Sequence, residues 1–407
     1  MNTDVCILGA GPAGAMAALF LAKHNIPCIL LEKETFPRDK ICGDALSGKV
    51  AEVLKKFDPS LLEELRHFSG QLPSWGIRFV APNLKELKVP FKPGYNTQTD
   101  SPPGFIAKRI DFDNFLIEQV RNYPSIKLME NVRVKNFKKN SDSFNIEYEG
   151  GEINARLLIV ADGAQSLFKR IYLKEKPEPK HFSAGIRAYY KGVSDMDKDN
   201  FIELHFLKEF LPGYFWLFPL PNGLANVGIG MRSDIISKRK VNLKEELKKF
   251  LDHPHFKNRF SNAELQGEVK GFGLPLGSKR RKISGDNYIL TGDAASLIDP
   301  FTGEGIGNAL LSGMFAAQQT MDSLAMNNFS SESLASYDDA IYRRLGKELK
   351  ISANIQKLAA FPSLFNLVVN KASSNKELGD MFSCMFTDVD MRKKLKSPSF
   401  YFRLLFP

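Results

Sequence analysis

The sequence predicts an α/β protein in which a parallel sheet with flanking helices is interrupted by an antiparallel β region and followed by a helical C-terminal region. Three observations predict this class. An apolar strand, a glycine-rich turn and an apolar helix open the chain at residues 4–21. Short alternating stretches broken by proline and glycine occupy residues 74–107 and 182–231, which is typical of antiparallel strands. Helical spacing dominates from about Gly303 onward.

The opening stretch carries a Rossmann-type dinucleotide fingerprint, Gly9-x-Gly11-x-x-Gly14, directly after an apolar strand. Gly9 makes the tight turn, Gly11 lets a pyrophosphate approach the backbone, and Gly14 lets the helix pack closely on the strand. The N-terminus of that helix offers N–H groups and a positive dipole end to the pyrophosphate. A second strand ends in Glu32, whose carboxylate can accept hydrogen bonds from a ribose diol. This order of elements predicts a dinucleotide site.

A net charge of +10 and 32 phenylalanines are the unusual features of an otherwise ordinary globular composition. The charge indicates a solvated lysine-rich surface, with docking to anionic lipid headgroups or to an acidic electron carrier as the sharper alternative. The basic residues are scattered and accompany no recognition motif, so nucleic acid is not expected as a partner.

The cysteines and the hydropathy pattern bear on the cellular environment. The four cysteines form no C-x-x-C pair and have no zinc-like spacing, so no metal site is expected. Cys6 and Cys28 lie in apolar strands and are expected to be inert core thiols. No run approaches the roughly 18 apolar residues of a membrane span. We therefore expect a cytoplasmic protein without a signal peptide, with at most peripheral membrane contact.

Two polar residues in the middle of the chain are candidate cofactor contacts: Asp162 follows an apolar strand, and Arg109 precedes a helix. The strand 157–160 leads into Asp162-Gly163, where a carboxylate can bind a hydroxyl of a ribityl chain; a plain turn is the alternative. Arg109 precedes a predicted helix whose N-cap is Asp111. A surface arginine and a fixed cation beside cofactor phosphates are both compatible with that position.

A third strand end, near residue 290, repeats the pattern of the opening stretch, in which a strand is followed by a glycine turn and a helix. It leads into Gly292-Asp293 and then into the segment Pro300-x-x-Gly303-Glu304-Gly305-Ile306-Gly307. Asp293 would reach a ribitol hydroxyl. The following helix N-terminus would face the pyrimidine edge of a flavin and stabilise negative charge on the reduced ring. The glycine spacing excludes a second nicotinamide fingerprint.

Taken together and in order, these motifs resemble those of FAD enzymes with the p-hydroxybenzoate hydroxylase fold, over about the first 330 residues. The resemblance implies FAD as the cofactor. One departure is Lys169, at a place where such families often have an arginine. The positions expected to bind FAD are Gly9, Gly11, Pro12, Ala13, Gly14, Glu32, Lys33, Arg38, Cys42, Gly43, Arg109, Val132, Asp162, Gly163, Gly292, Asp293, Pro300, Gly303, Gly305 and Ile306.

Two further segments resemble the geranylgeranyl reductase family of FAD-dependent oxidoreductases. The segment 40–43 is similar to its K-x-C-G motif, whose cysteine lies near the flavin, and 214–219 is similar to its Y-x-W-x-F-P motif, which lines a lipid pocket. The resemblance implies catalytic roles for Cys42, Trp216 and Tyr214. A small buried thiol and an inward-facing row of sheet aromatics are the alternatives. The halogenases' related W-x-W-x-I-P segment matches less well.

The expected activity is hydride transfer from reduced FAD to carbon–carbon double bonds of a polyprenyl or other apolar lipid, with NADPH or a ferredoxin-like protein as electron donor. One alternative is a flavin monooxygenase, with a halogenase as its variant. A second alternative is an electron-transfer module for a quinone or lipid partner, since all of these proteins need the same FAD frame. No residue is identified as the general acid; His205 is expected to be a packed histidine.

The predicted division of the chain interleaves cofactor and substrate parts. FAD-binding parts are 1–72, 108–175 and 285–330; the β-rich substrate side is 73–107 and 176–284; the helical C-terminal region is 331–407. That last region has predicted breaks at Pro362 and Pro398 and an aromatic end at 400–406, for which core packing, pocket covering and membrane contact are the options.

Overall fold

The computed structural model describes residues 1–374. The predictions that concern Pro398, Cys384 and residues 400–406 lie outside this part of the chain. The strands are β1 (Asn2–Leu8), β2 (Cys28–Leu31), β3 (Ala45–Leu46), β4 (Gln71–Ser74), β5 (Gly76–Val80), β6 (Glu86–Pro90), β7 (Gly104–Ala107), β8 (Ile126–Met129), β9 (Val134–Lys139), β10 (Phe144–Tyr148), β11 (Gly151–Val160), β12 (Phe182–Lys191), β13 (Ile202–His205), β14 (Tyr214–Leu220), β15 (Leu224–Arg232), β16 (Glu264–Pro275), β17 (Ser284–Gly285) and β18 (Tyr288–Leu290). The helices are α1 (Pro12–Lys23), α2 (Gly48–Phe57), α3 (Pro59–His67), α4 (Arg109–Arg121), α5 (Leu167–Ile171), α6 (Ser233–Arg239), α7 (Leu243–Asp252), α8 (Pro254–Lys257), α9 (Ile306–Ala325), α10 (Ser331–Leu358) and α11 (Pro362–Ser374).

The cofactor-side sheet has the order β17-β18-β11-β1-β2-β8, with β10 and β9 added beside β11. Its central strands run parallel and bury both faces, so β2 and the second half of β1 are continuous apolar runs. Helices α1 and α9 pack on each other. They cross so closely that a Cβ on Gly313 would lie 2.2 Å from the carbonyl oxygen of Ala13. This backbone contact fixes the two helices relative to each other.

The second sheet, named the substrate-side sheet after the predicted division of the chain, has the order β16-β12-β15-β14-β13-β5-β6 and is antiparallel except at one pair. Strand β13 runs parallel to β5, with Ile202 opposite Ile77. A hairpin cannot impose this pairing, because the chain passes through the cofactor-side sheet between the two strands. Strands β3 and β4 each pair with β7, which is the central strand of a separate three-stranded sheet. The α/β class with a β-rich insert and C-terminal helices is confirmed, and the parallel pair refines it.

The predicted N-cap at Asp111 is wrong. Helix α4 begins at Arg109 after Lys108, whose side chain makes no capping bond, and Asp111 lies in the first turn. A carboxylate from elsewhere in the chain supplies the cap, since Asp44 Oδ1 accepts a hydrogen bond from the N–H of Arg109 at 3.3 Å. A tertiary contact therefore replaces the local capping signal.

Each face of the substrate-side sheet has its own apolar cluster. One cluster joins Trp216, Phe218 and Leu204 to Phe301 and Phe365. The other joins Phe215 and Ile229, among others, to helices α7 and α8. The helices that the structure describes include none long and apolar enough to cross a membrane.

Candidate functional site

The glycine-rich turn has the geometry that its sequence predicts. Gly9 has φ +97°, a backbone conformation that residues other than glycine rarely adopt. A Cβ on Gly14 would lie 1.9 Å from the carbonyl oxygen of Gly9, so only glycine lets α1 start here. The N-cap of α1 is Gly11, no side chain caps the helix, and Pro12 occupies its first turn. The space before this helix end is thus available to an anionic group.

Four charged side chains form a buried layer beside this turn. Glu32 Oε2 accepts a hydrogen bond from the N–H of Ala10 at 3.1 Å and contacts Arg38 Nη2 at 3.3 Å. Asp113 accepts hydrogen bonds from Arg38 at 2.7 Å and from Arg109 at 2.6 Å, twice. Burial opposes ionisation of Asp113, but the two guanidinium groups outweigh it and lower the pKa of that carboxyl.

Arg38 lies beside Gly11 of the glycine turn. Its Nη2 lies 3.8 Å from the position that a Cβ on Gly11 would occupy. Arg109, which we expected beside cofactor phosphates, is only 2% exposed and is held by Asp113. The layer therefore sets Arg38 beside the glycine turn and buttresses it with Asp113 and Arg109.

Two aspartates lie at strand ends on the same edge of the sheet. Asp162 Oδ2 accepts a hydrogen bond from the N–H of Phe168 at 3.2 Å, whereas its Oδ1 is buried without a partner in the described chain. Burial raises the pKa of this carboxyl. Asp293 is paired with Lys40 at 2.8 Å. An orphaned acceptor at Asp162 fits a hydroxyl-bearing cofactor chain, because a buried lone acceptor otherwise costs free energy.

The second helix end is built around glycines as well. The N-cap of α9 is Gly305, and the N–H of Gly307 donates to Glu304 Oε1 at 2.7 Å. Gly303 has φ +74°, and a Cβ on Gly292 would meet the Cβ of Ala13 at 3.2 Å. The N-terminal ends of α1 and α9 therefore approach the same region. Both glycine turns leave room for a cofactor that spans them.

A cavity enclosing about 1220 Å³, part of it open to solvent, extends from this region to the substrate-side sheet. On the cofactor side it is lined by the loop 42–47 and by residues 300–306. On the other side it is lined mainly by apolar residues of β13 and β14, with Phe272 of β16. It brings together Cys42, Gly43, Pro300, Gly303, Gly305, Ile306, Tyr214 and Trp216, all of which we predicted as site residues.

The aromatic row on β14 faces this cavity. Tyr214 donates a hydrogen bond to the carbonyl oxygen of Thr302 at 3.1 Å, and Trp216 Nε1 donates to Asn226 Oδ1 at 2.9 Å. Phe218 lies so near the cysteine loop that a Cβ on Gly43 would be 3.1 Å from its ring. The row thus contacts both cofactor-side loops.

Cys42 is partly exposed and lines the cavity. Burial raises the pKa of its thiol, and the positive charge of Arg109 offsets this only in part. The group is therefore a neutral thiol at physiological pH rather than a thiolate nucleophile.

Two further predicted FAD positions lie beside Glu32 rather than in the cavity. Val132 is buried, and its N–H donates to the carbonyl oxygen of Glu32 at 2.8 Å. Lys33 is exposed next to Glu32.

Sequence reasoning missed the buried polar residues between the cysteine loop and β15, chiefly Asp44 and Asn226. Both are fully buried. Asp44 accepts hydrogen bonds from Tyr189 and Asn226 at 2.8 Å each. The available signal was Asn226 itself, one amide in the apolar run 224–230.

The paired glycine turns, the acid after β2 and the aspartates at the strand ends define an FAD-binding protein. The family model described as FAD binding domain matches residues 2–339, so the chain belongs to that family, and FAD is its cofactor. More particularly, it belongs to the geranylgeranyl reductase family of FAD-dependent oxidoreductases. It is 31% identical over 365 residues to the digeranylgeranylglycerophospholipid reductase of Methanococcus vannielii, covering 87% of each chain.

Other relatives and solved structures extend the comparison. The menaquinone reductase of Mycolicibacterium smegmatis is 30% identical over 346 residues, covering 81% of this chain and 80% of that one. The structure of a geranylgeranyl bacteriochlorophyll reductase-like protein from Thermoplasma acidophilum superposes with a TM-score of 0.80 at 24% identity, covering 97% and 98%. A flavin-dependent brominase superposes with a TM-score of 0.76 at 21% identity, covering 95% and 94%. These two structures share the fold.

Proposed function

We propose that this chain is a reductase that saturates isolated carbon–carbon double bonds of a polyprenyl or similarly apolar lipid at its FAD. The observation that carries the proposal is the cavity, whose cofactor-side wall contains Cys42 and Ile306 and whose opposite wall is an apolar and aromatic sheet face. Such a cavity suits a long hydrocarbon chain laid beside a flavin. The relatives named as lipid and quinone reductases support the same substrate class.

The chemistry that FAD supplies when bound and reduced is a hydride and its electron pair. The hydride would bond to one alkene carbon and a proton, supplied by an acid or water, to the other, so that the π bond would be lost and the cofactor left oxidised. NADPH or a ferredoxin-like protein would then restore the reduced cofactor. The chain's own contribution is to position the alkene and to exclude water.

Several residues would hold the cofactor in this arrangement. Gly11 and Arg38 would contact the pyrophosphate, Glu32 the ribose, and Asp162 the ribityl chain. The N-terminal end of α9 at Gly305 would face the pyrimidine edge. Lys40 holds Asp293 at 2.8 Å, which keeps the second strand-end carboxylate fixed in this region.

The decisive experiment is a mass measurement under strict anaerobiosis. The purified holoenzyme is reduced and mixed with digeranylgeranylglycerophospholipid or with menaquinone. The molecular mass of the extracted lipid is then measured by mass spectrometry. A gain of hydrogen pairs is expected. No change without oxygen, followed by gain of an oxygen or bromine atom after admitting air with or without bromide, would overturn the reductase and favour a monooxygenase or halogenase. Oxidation of the flavin with no change in either lipid would favour an electron-transfer module.

A matched pair of cysteine variants tests the site within this function. Cys42→Ala should lower turnover about tenfold or more, because the thiol lines the cavity beside the cofactor wall. Cys28→Ala removes a thiol that is 3% exposed in the core and should leave turnover unchanged. FAD retention is measured for both variants. Equal turnover of Cys42→Ala and the wild type would exclude a role for the thiol.

A further inference from the structure

Asn226 on β15 has no solvent exposure and makes three hydrogen bonds to the two walls of the cavity. Its Oδ1 accepts from Trp216 Nε1 at 2.9 Å. Its Nδ2 donates to the carbonyl oxygen of Cys42 and to Asp44 Oδ2, each at 2.8 Å. One amide therefore joins an aromatic residue of the substrate-side sheet to the cysteine loop of the cofactor side.

Only one orientation of this amide satisfies its partners. The indole nitrogen of Trp216 can only donate, and the carbonyl oxygen of Cys42 can only accept. Rotating the amide by 180° would set its NH₂ against the indole N–H and its oxygen against two acceptors. Because both amide N–H groups and one acceptor site of the oxygen are committed, the contacts fix the side chain and transmit displacement from one wall to the other.

The surroundings of Asn226 make the connection rigid. It lies opposite Phe218 on β14 and opposite Tyr189 on β12 in the sheet register. Tyr189 donates to the same Asp44 oxygen at 2.8 Å, and Asp44 also caps α4. Asp44 thus ties the cysteine loop to the sheet and to a helix of the cofactor half.

We propose that Asn226 is a positioning residue that holds Cys42 and Trp216 at a fixed separation across the cavity. The effect on turnover rests on the proposed function, whereas the coupling of the two walls does not. The competing explanation is a buried amide that contributes only to stability, as buried polar groups commonly do when hydrogen-bonded. The two explanations differ in what happens at Cys42 and Trp216.

The first test reads Trp216 directly in the holoenzyme. The chain has two tryptophans, so indole ¹⁵N labelling gives two side-chain N–H resonances, assigned with Trp75→Phe. Asn226→Ala should move the Trp216 resonance upfield because the hydrogen bond is lost, while the Trp75 resonance stays in place. An unmoved Trp216 resonance would overturn the proposal.

The second test reads Cys42 by alkylation and peptide mapping. Asn226→Ala should raise the alkylation rate of Cys42 several-fold, because the loop loses the bond to its carbonyl oxygen. Cys6 and Cys28, at 0% and 3% exposure, serve as internal controls. A Cys42 rate equal to that of the wild type would contradict the coupling.

Asn226→Asp distinguishes the acceptor oxygen of the amide from its NH₂ donor group. The introduced carboxyl can still accept from Trp216, so that resonance should remain, but it faces Asp44 and the Cys42 carbonyl without a donor. Burial raises the pKa of Asp44 to about 6, against hydrogen bonds from Tyr189 and Asn226 and the charge of Arg187. Two facing carboxyls need one shared proton, so the Cys42 alkylation rate of Asn226→Asp divided by the wild-type rate at the same pH should fall toward one as the pH is lowered. A ratio that does not change with pH would count against the geometry.

Turnover then tests the positioning role. Asn226→Ala should lower kcat about tenfold to a hundredfold with little change in KM. The control is Gln319→Ala, which removes a buried amide of α9 bonded to Ser323 and Ser336 away from the cavity. An equal loss of kcat in both variants would reduce Asn226 to a stability residue. If the wild type saturates no lipid, the proposed function fails, and the resonance and alkylation tests still decide the coupling.

Discussion

Both faces of strand β14 carry aromatic side chains, but one face is packed in a core and the other lines the cavity. Phe215 and Leu217 have no solvent exposure, and Phe215 stacks on Phe250 with ring centroids 5.3 Å apart. The alternate residues Tyr214 and Trp216 line the cavity, and their ring centroids lie 6.2 Å apart. Aromatic content therefore does not distinguish a core from a pocket. The difference lies in the opposing layer, which is helices on one face and the cofactor half on the other.

Polar groups follow the same division. On the closed face, Glu203 is paired with Arg259, which follows α8, at 2.8 and 2.9 Å, and it is hydrogen-bonded to His205 of the same strand at 2.8 Å. On the cavity face, Tyr214 and Trp216 direct their polar atoms to Thr302 and Asn226. The closed face is satisfied by the sheet and the helical segment packed on it, whereas on the cavity face Tyr214 is satisfied by a loop of the cofactor half.

The largest expected effect separates the faces by stability. Phe215→Ala should lower the free energy of unfolding by about 3–5 kcal/mol, because it leaves a void in a closed cluster. Phe218→Ala should cost clearly less, since its ring borders the existing cavity. Urea denaturation of both holoenzyme variants, followed by circular dichroism, measures the difference. Equal losses would mean that the cavity face is packed as tightly as the closed one.

A second prediction concerns the buried carboxylate of the closed face. Burial opposes ionisation of Glu203, but hydrogen bonds and charge from His205 and Arg259 lower its pKa to about 2 from 4.5. The unfolded chain takes up this proton first, so the stabilisation is complete above about pH 5 and lost as the pH falls toward 2. Glu203→Gln should cost about 3 kcal/mol at neutral pH.

That cost should shrink as the pH approaches 2. Unfolding titrations at several pH values check this, with the exposed Glu118→Gln as the control that should change little. A Glu203→Gln deficit that stays constant from pH 7 to pH 3 would show that the ion pairs do not cause the low pKa.

The third prediction adds volume to each face. Ile229→Phe on the closed face should destabilise the protein by about 1–3 kcal/mol through overpacking. Leu204→Phe on the cavity face should cost less than about 1 kcal/mol, because the added ring can enter the cavity that Leu204 lines. Under the proposed function, Leu204→Phe also shortens the longest chain that is reduced. A Leu204→Phe protein that unfolds as easily as Ile229→Phe would remove this asymmetry.

The smallest effect is expected at Tyr214. Its hydroxyl donates to the Thr302 carbonyl, and burial raises the pKa of the phenol, so the hydroxyl keeps its proton and directs it to the backbone. Tyr214→Phe should lose about 1 kcal/mol of stability and less than about tenfold in turnover. A loss of about a hundredfold or more in turnover, with stability unchanged, would instead assign the hydroxyl to proton transfer.

The sequence patterns predict those parts of the site that depend on local chemistry. The glycine spacing predicts the turn at Gly9, and the period-two alternation predicts that Tyr214 and Trp216 share a face. The meeting of Asp44 with Asn226 was not predictable, because it joins residues 182 positions apart. The wrong N-cap at Asp111 has the same origin, since Asp44 caps α4 from a distant loop. Local signals fail where a tertiary partner takes over their role.

The crossing of α1 and α9 bears on how such proteins diverge. Gly313 meets the main chain at Ala13, and a backbone contact is indifferent to the drift of side chains around it. The spacing of the two helix ends can therefore be inherited unchanged while every residue of the cavity sheet is replaced. A lineage could exchange one substrate for another without disturbing its cofactor. A reductase-like protein and a brominase share this fold at 24% and 21% identity with this chain.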